Sequence, residues 1–173
     1  MEAAKKKEQN KAKGADELMA ALLSGKTFSD LHGFDENSLE AVYHFAYTMY
    51  EGGQLDKAIT LFKFLCFQDH LSPKFFLGLA ACQQMQKDYK AAIHSYSYAA
   101  VLDVSNPNAP LQAANCHLAL LQYEQAASGY YAAQHLAKGK PEYADLAAFA
   151  KVREEAMRLK LKAKKSPVHK GAE

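Results

Sequence analysis

An all-α fold, three tandem helical hairpins stacked into a short solenoid with an N-terminal helical segment and a C-terminal capping helix, follows from three observations on the sequence. The segments QLDKAITLF, DYKAAIHSY and QYEQAASGY place alanines at 58, 92 and 126, each 34 residues from the next. The same residue types return around each alanine: Leu55, Tyr89 and Tyr123 before it, Phe62, Tyr96 and Tyr130 after it. A second alanine, Ala46, Ala80 or Ala114, stands twelve places earlier, preceded by Phe45, Leu79 or Ala113. Small residues are needed where the two helices of a hairpin cross closely, and aromatics fill the space between hairpins. A single hairpin cannot bury its apolar face alone, so neighbours must stack.

Taken in order, residues 1–14 form a basic tail with almost nothing to bury, expected to be disordered. Residues 15–38 form a helical segment: ADELMAALLSGKTFSDL reads as a short amphipathic helix, a turn at Ser24 and Gly25, and a second short helix. The three hairpins occupy 39–140. Their breaks fall at Gly52, Gly53 and Gln54, at Ser72 and Pro73, and at SNPNAP from Ser105 to Pro110. Residues 141–165, with Pro141 near the start and a basic end, form the capping helix, and 166–173 a second disordered tail. The period of 34 with these small and aromatic places resembles the tetratricopeptide repeat. Pro110, where a large residue is usual, and Gln83 and His117, in the place of Met49, make the third repeat the loosest match.

Composition narrows the function. A hydrophobic share of 49% with 23% charged residues is that of a globular domain, and a formal charge of +2, with basic runs at both ends, is not the balance of a nucleic-acid binder. The longest apolar runs, LMAALL and ITLFKFLCF, are too short to span a membrane, and Met1 leads into polar sequence; a cytoplasmic location is expected. Cys66, Cys82 and Cys116 form no CxxC pair and read as buried, inert thiols. No His/Cys spacing suits a metal, no GxxxxGK[ST] or GxGxxG is present, and Asp56, Asp88 and Glu124 recur at hairpin turns, where helix-end charge explains them. The sequence predicts a binding protein without cofactor or metal, not an enzyme.

Which face binds is read from the helix EAVYHFAYTMYEGG. At about 100° per residue, Val42, Phe45, Ala46 and Met49 make the stripe that packs against a neighbour, while Tyr43, Tyr47 and Tyr50 make a second, wholly aromatic stripe. In stacked hairpins the first helices line the concave side. The inward arc then carries Glu40, Tyr43, Tyr47 and Tyr50 in repeat one, Lys74, Leu77, Ala81 and Gln84 in repeat two, and Asn108, Leu111, Asn115 and Leu118 in repeat three. Such a groove suits an extended segment with a few apolar side chains, since tyrosine combines a flat contact area with a hydroxyl for a peptide backbone. The alternative is that the tyrosines are covered, by the N-terminal helix with Leu18, Met19, Leu22 and Leu23 or by a second copy of the chain. A clamp for the acidic C-terminus of a heat-shock chaperone, used by co-chaperones of this repeat class, would need Lys and Asn where the three tyrosines stand.

The order of features is similar to the class II chaperones of bacterial type III secretion, over roughly residues 15–150. LGLAACQQMQKDYKAAIHSY and AANC before HLAL are the most family-like pieces. The resemblance implies a cytoplasmic chaperone that holds an extended segment of hydrophobic translocator proteins in the concave groove, keeping them soluble and secretion-competent. It implies that Tyr43, Tyr47 and Tyr50, continued by Leu77 and Ala81, form pockets for the client's apolar anchors. It also makes Leu18, Met19, Leu22 and Leu23 candidate contacts of a homodimer. The other function the sequence allows is a general repeat scaffold that joins folded proteins through its convex side or its C-terminal helix.

Overall fold

Capping and turn chemistry set the helix boundaries. The computed structural model describes residues 19–165; both tails and Leu18 lie outside the described residues. A helical stretch at 19–23 (α1) ends at a turn with Gly25 at φ +84°. Thr27 then caps α2 (Phe28–His32) reciprocally: its hydroxyl accepts from the Asp30 N–H, and the Asp30 carboxylate accepts from the Thr27 N–H at 2.7 Å. The Asp35 carboxylate accepts from the Ser38 N–H at 2.8 Å and starts α3 (Glu36–Glu51), ahead of residue 39. There follow α4 (Leu55–Gln68), α5 (Pro73–Met85), α6 (Tyr89–Leu102), α7 (Asn108–Ala119) and α8 (Tyr123–Ala137). The last element opens as a 3-10 turn at Pro141–Tyr143 and continues as α9 (Ala144–Lys165).

The repeat written in the sequence returns in the backbone. Each hairpin turns through a residue in the left-handed region, Gly53 at φ 71°, Lys87 at 64° and Leu121 at 59°. The N–H of the next residue closes each turn on a carbonyl five places back: Gln54 on Met49 at 2.8 Å, Asp88 on Gln83 and Gln122 on His117 each at 2.9 Å. This is the hydrogen-bond pattern that satisfies orphan carbonyls at a helix end. Only the first hairpin supplies the glycine that such a conformation favours.

Consecutive helices pack in chain order from α3 on α4 through to α8 on α9, and α3 also meets α5, as stacked hairpins require. All six repeat alanines, at 46, 58, 80, 92, 114 and 126, are fully buried, as are Phe62 and Tyr130, and Tyr96 is nearly so. Close approach is visible at Gly78, where a Cβ would stand 2.2 Å from Cε1 of Phe62, and at Gly129, where it would stand 2.9 Å from Cβ of Ala114. Pro110 and Ala113, small where the repeat usually carries bulk, border a hollow of about 400 Å³ between the second and third hairpins.

One sequence expectation meets a different environment at the start of the stack. Phe45, read as part of the packing stripe, is 56% exposed. The first hairpin has no preceding hairpin among the described residues. The N-terminal segment covers α4 instead, Phe28 stacking on Phe67 at 4.5 Å and Phe34 meeting Phe64 edge-on at 6.2 Å. At the other end α9 lies on α8, and its Leu146, Ala150 and Met157 share a core with Leu111, Ala114 and Tyr130.

Candidate functional site

The tyrosines of α3 form a continuous aromatic wall on the side of the stack shared by α3, α5 and α7. Tyr43 and Tyr47 stack with centroids 6.4 Å apart, and Tyr47 and Tyr50 tilt together at 5.9 Å. Tyr43 also meets Phe62 edge-on and leans on Phe75, both at 5.9 Å. The wall stays partly open: Tyr47 is 45% exposed, while Tyr43 and Tyr50 are half-buried. Burial raises the Tyr43 and Tyr50 phenols above their ordinary value, so they remain neutral hydroxyls at any physiological pH.

Two hollows adjoin this wall. The smaller, about 270 Å³, lies among the three tyrosines, the Phe62 ring, Leu77 and Ala81, with Lys74 and Gly78 completing it. The larger, about 920 Å³, continues from Tyr47 and Tyr50 past Leu77, Ala81 and Gln84 to Asn108 and Gln112. Together they form a trough that passes from a largely aromatic end to one bearing amides. The Lys74 ammonium, paired with Glu40, sits over the rings of Tyr43 and Phe75 at 5.4 and 5.2 Å. Among the described residues lining the smaller hollow, the one charged side chain, Lys74, is thus paired and held against ring faces.

Of the inward arc expected from the sequence, Tyr43, Tyr47, Tyr50, Lys74, Leu77, Ala81, Gln84 and Asn108 border the trough. Glu40 stands behind it as the partner of Lys74. In the third hairpin the arc is turned. Leu111 is buried and Leu118 packs against the same core, which α9 completes, while Asn115 is tied to Tyr130 and Gln112. Gln112 takes the lining place instead, and Met85, Tyr89 and Tyr96 were not foreseen there. Counting only first-helix residues missed Tyr89 and Tyr96. Both reach the trough from the second helix of their hairpin, and the aromatic that recurs after each repeat alanine was the available signal for Tyr96.

None of residues 19–38 borders either hollow. Met19 is 58% and Leu23 82% exposed and Leu22 half-buried; Leu18, placed with them from the sequence, lies outside the described residues. The three cysteines are free and buried. Among the described residues no cluster of His, Cys, Asp and Glu could hold a metal ion, and no helix is long and apolar enough to cross a membrane.

Comparison with known proteins adds independent findings. The tetratricopeptide-repeat family pattern matches residues 39–70 and 73–106. Low calcium response locus protein H of Yersinia pseudotuberculosis is 39% identical over 139 residues, 80% of this chain and 83% of that protein. The type III secretion translocator chaperone SycD of Yersinia enterocolitica superposes with a TM-score of 0.72 at 39% identity, covering 76% of this chain and 98% of SycD. PcrH, solved in complex with the chaperone binding region of PopD, superposes with a TM-score of 0.72 at 40% identity, covering 74% of this chain and 96% of PcrH.

Proposed function

The chain belongs to the translocator chaperones of type III secretion, and from that premise we propose that it holds an extended, partly apolar segment of its translocator clients in the trough walled by Tyr43, Tyr47 and Tyr50. The observation that carries this reading is a partly open aromatic wall beside two hollows that no residue of 19–38 borders, the N-terminal segment lying on α4 instead. A monomer rarely leaves such a surface open without a partner for it. The smaller hollow takes an apolar anchor of the client, and Leu77 and Ala81 continue that surface. Beyond them, Gln84, Asn108 and Gln112 meet the client's main chain.

Holding is the whole of the task. A client with membrane-inserting stretches would aggregate if free, and a stoichiometric binder lowers its free concentration by mass action, without a catalytic group, cofactor or metal. The work belongs in the bacterial cytoplasm, before secretion. A second copy of the chain is a further partner, through the exposed Met19 and Leu23 with Leu22 beside them.

The test is mass spectrometry of what copurifies with the protein from its own bacterium, beside a Tyr47→Asp variant checked for helix content by circular dichroism. One or two long proteins with membrane-inserting segments should accompany the wild type and vanish with the variant. A charge buried against rings at the centre of a contact is expected to cost at least about 2 kcal/mol. The same soluble partners with both proteins would instead favour a general repeat scaffold.

A further inference from the structure

The aromatic place that recurs every 34 residues carries Phe in the first hairpin and Tyr in the next two, and the two hydroxyls are not idle. Tyr96 is 4% exposed and Tyr130 0%, so each phenol must find its partner inside the protein. Both find one on the groove side. The Tyr96 hydroxyl donates to Oε1 of Gln84 at 2.8 Å, and the Tyr130 hydroxyl donates to Oδ1 of Asn115 at 2.7 Å. Asn115 passes the constraint on, its Nδ2 donating to Oε1 of Gln112 at 3.0 Å.

An amide whose oxygen is already engaged presents its nitrogen. Gln84 and Gln112 are half-buried and border the larger hollow, and neither amide nitrogen has a partner among the described residues. Asn108, on the same hollow, has the opposite arrangement: its Nδ2 donates to Oδ1 of Asn106 at 3.2 Å, which leaves its own oxygen to accept. The hollow therefore offers two oriented donors and one acceptor beside apolar rings. That set complements a main chain whose carbonyls and N–H groups are unspent. A helical occupant has used those groups internally, whereas an extended one has not.

We infer that Tyr96 and Tyr130 are positioning residues, which hold the Gln84 and Gln112 amides as hydrogen-bond donors to backbone carbonyls of an extended occupant. The inference rests on the trough being the client site, and it adds which contacts select main chain over side chain. The first hairpin, with Phe62 in the equivalent place, has no hydroxyl to give, and its part of the trough is the one built for apolar anchors. Burial also lifts the Tyr96 phenol well above its ordinary value, with Cys116 the next contributor, so its proton stays in place across the physiological range.

The experiment is calorimetric titration of the full chain with the chaperone binding region of PopD as the probe, for wild type, Tyr96→Phe, Gln84→Met and the double variant. Loss of one hydrogen bond should weaken binding about 3- to 10-fold in either single variant. Because Tyr96 acts through Gln84, Tyr96→Phe should cost nothing further once Gln84 is Met. A merely structural role for Tyr96 would lower thermal stability and weaken binding equally in both backgrounds, and that result overturns the inference. Unchanged affinity in Gln84→Met, and in Gln112→Met titrated beside it, each checked for native helix content by circular dichroism, also overturns it while leaving the groove assignment standing. If the wild type fails to bind the probe, and Tyr47→Asp fails to alter capture of the native clients, the groove assignment falls and takes this inference with it.

Discussion

Gly78→Ala is the change that most directly tests how the groove is built. Adding one methyl to the middle of a helix usually helps, by about 1 kcal/mol, through backbone entropy. Here the added carbon would stand 2.2, 2.5 and 2.7 Å from three atoms of the Phe62 ring, where carbon atoms rest at about 3.5 to 4.0 Å. The ring is 1% exposed and held in the first core cluster with Leu65, Phe75 and Leu79, so it cannot turn aside freely. Overpacking of this severity belongs near the top of its usual range, about 3 kcal/mol. After the propensity gain, a net loss of about 2 kcal/mol remains, which for a chain of 173 residues lowers Tm by about 4 to 8 °C.

The open space beside the ring is the smaller hollow, so a displaced Phe62 fills the place assigned to the client's anchor and should weaken capture as well. Thermal melts followed by circular dichroism give the first effect, and titration with the PopD chaperone binding region gives the second. Adding Phe62→Leu makes room for the methyl, and the double variant should be more stable than the sum of the two single losses by at least about 1 kcal/mol. Strictly additive losses, or a rise in Tm for Gly78→Ala alone, would refute the argument that the ring lies flat across this glycine.

Three further outcomes are expected. Leu121→Gly should stabilise the protein by about 0.5 to 1 kcal/mol, seen as a higher denaturant midpoint, because it relieves a left-handed backbone at a side chain that is 68% exposed and packs little. The three cysteines should resist thiol reagents in the native state at pH 8 and react on unfolding, since burial pushes Cys66 up to about 12 and Cys82 and Cys116 up to about 11; fast native labelling would contradict the burial. Asp30 and Asp35 hold helix-starting N–H groups and titrate below the ordinary value of 3.8, so their contribution is complete above that pH and lost as pH falls through their lower folded values. Hydrogen exchange should show α2 and the start of α3 opening first in that acid window, and Asp35→Asn should flatten that part of the response.

The spacing of 34 made the stack legible because each repeat alanine answers to one constraint, the distance between two crossing helices, and all six are buried as that constraint requires. The ends of the stack were less legible because the same positions lose their neighbours there. Phe45 belongs to the packing stripe in any internal repeat, yet here nothing described stands in front of it. Leu111 and Leu118 hold the places of Tyr43 and Tyr50, but α9 draws them into the terminal core. A periodic rule fixes a residue's place on its helix; what lies opposite depends on whether another hairpin follows.

The same distinction explains how one repeated scaffold carries a graded site. Phe62, Tyr96 and Tyr130 do the same packing task in three hairpins, and exchanging a ring hydrogen for a hydroxyl changes the core little. On the groove side the consequence is large. The hydroxyl reaches an amide at the trough and decides which of its ends is offered: Gln84 directly, Gln112 through Asn115. On the proposed reading, the trough takes side chains where the hydroxyl is missing and main chain where it is present. A client must satisfy both halves together, with its apolar anchor at the tyrosine wall and unspent carbonyls one stretch further on. A folded helix meets only the first demand, so on that reading the core positions of the repeat, and not its surface alone, favour a client that is still unfolded.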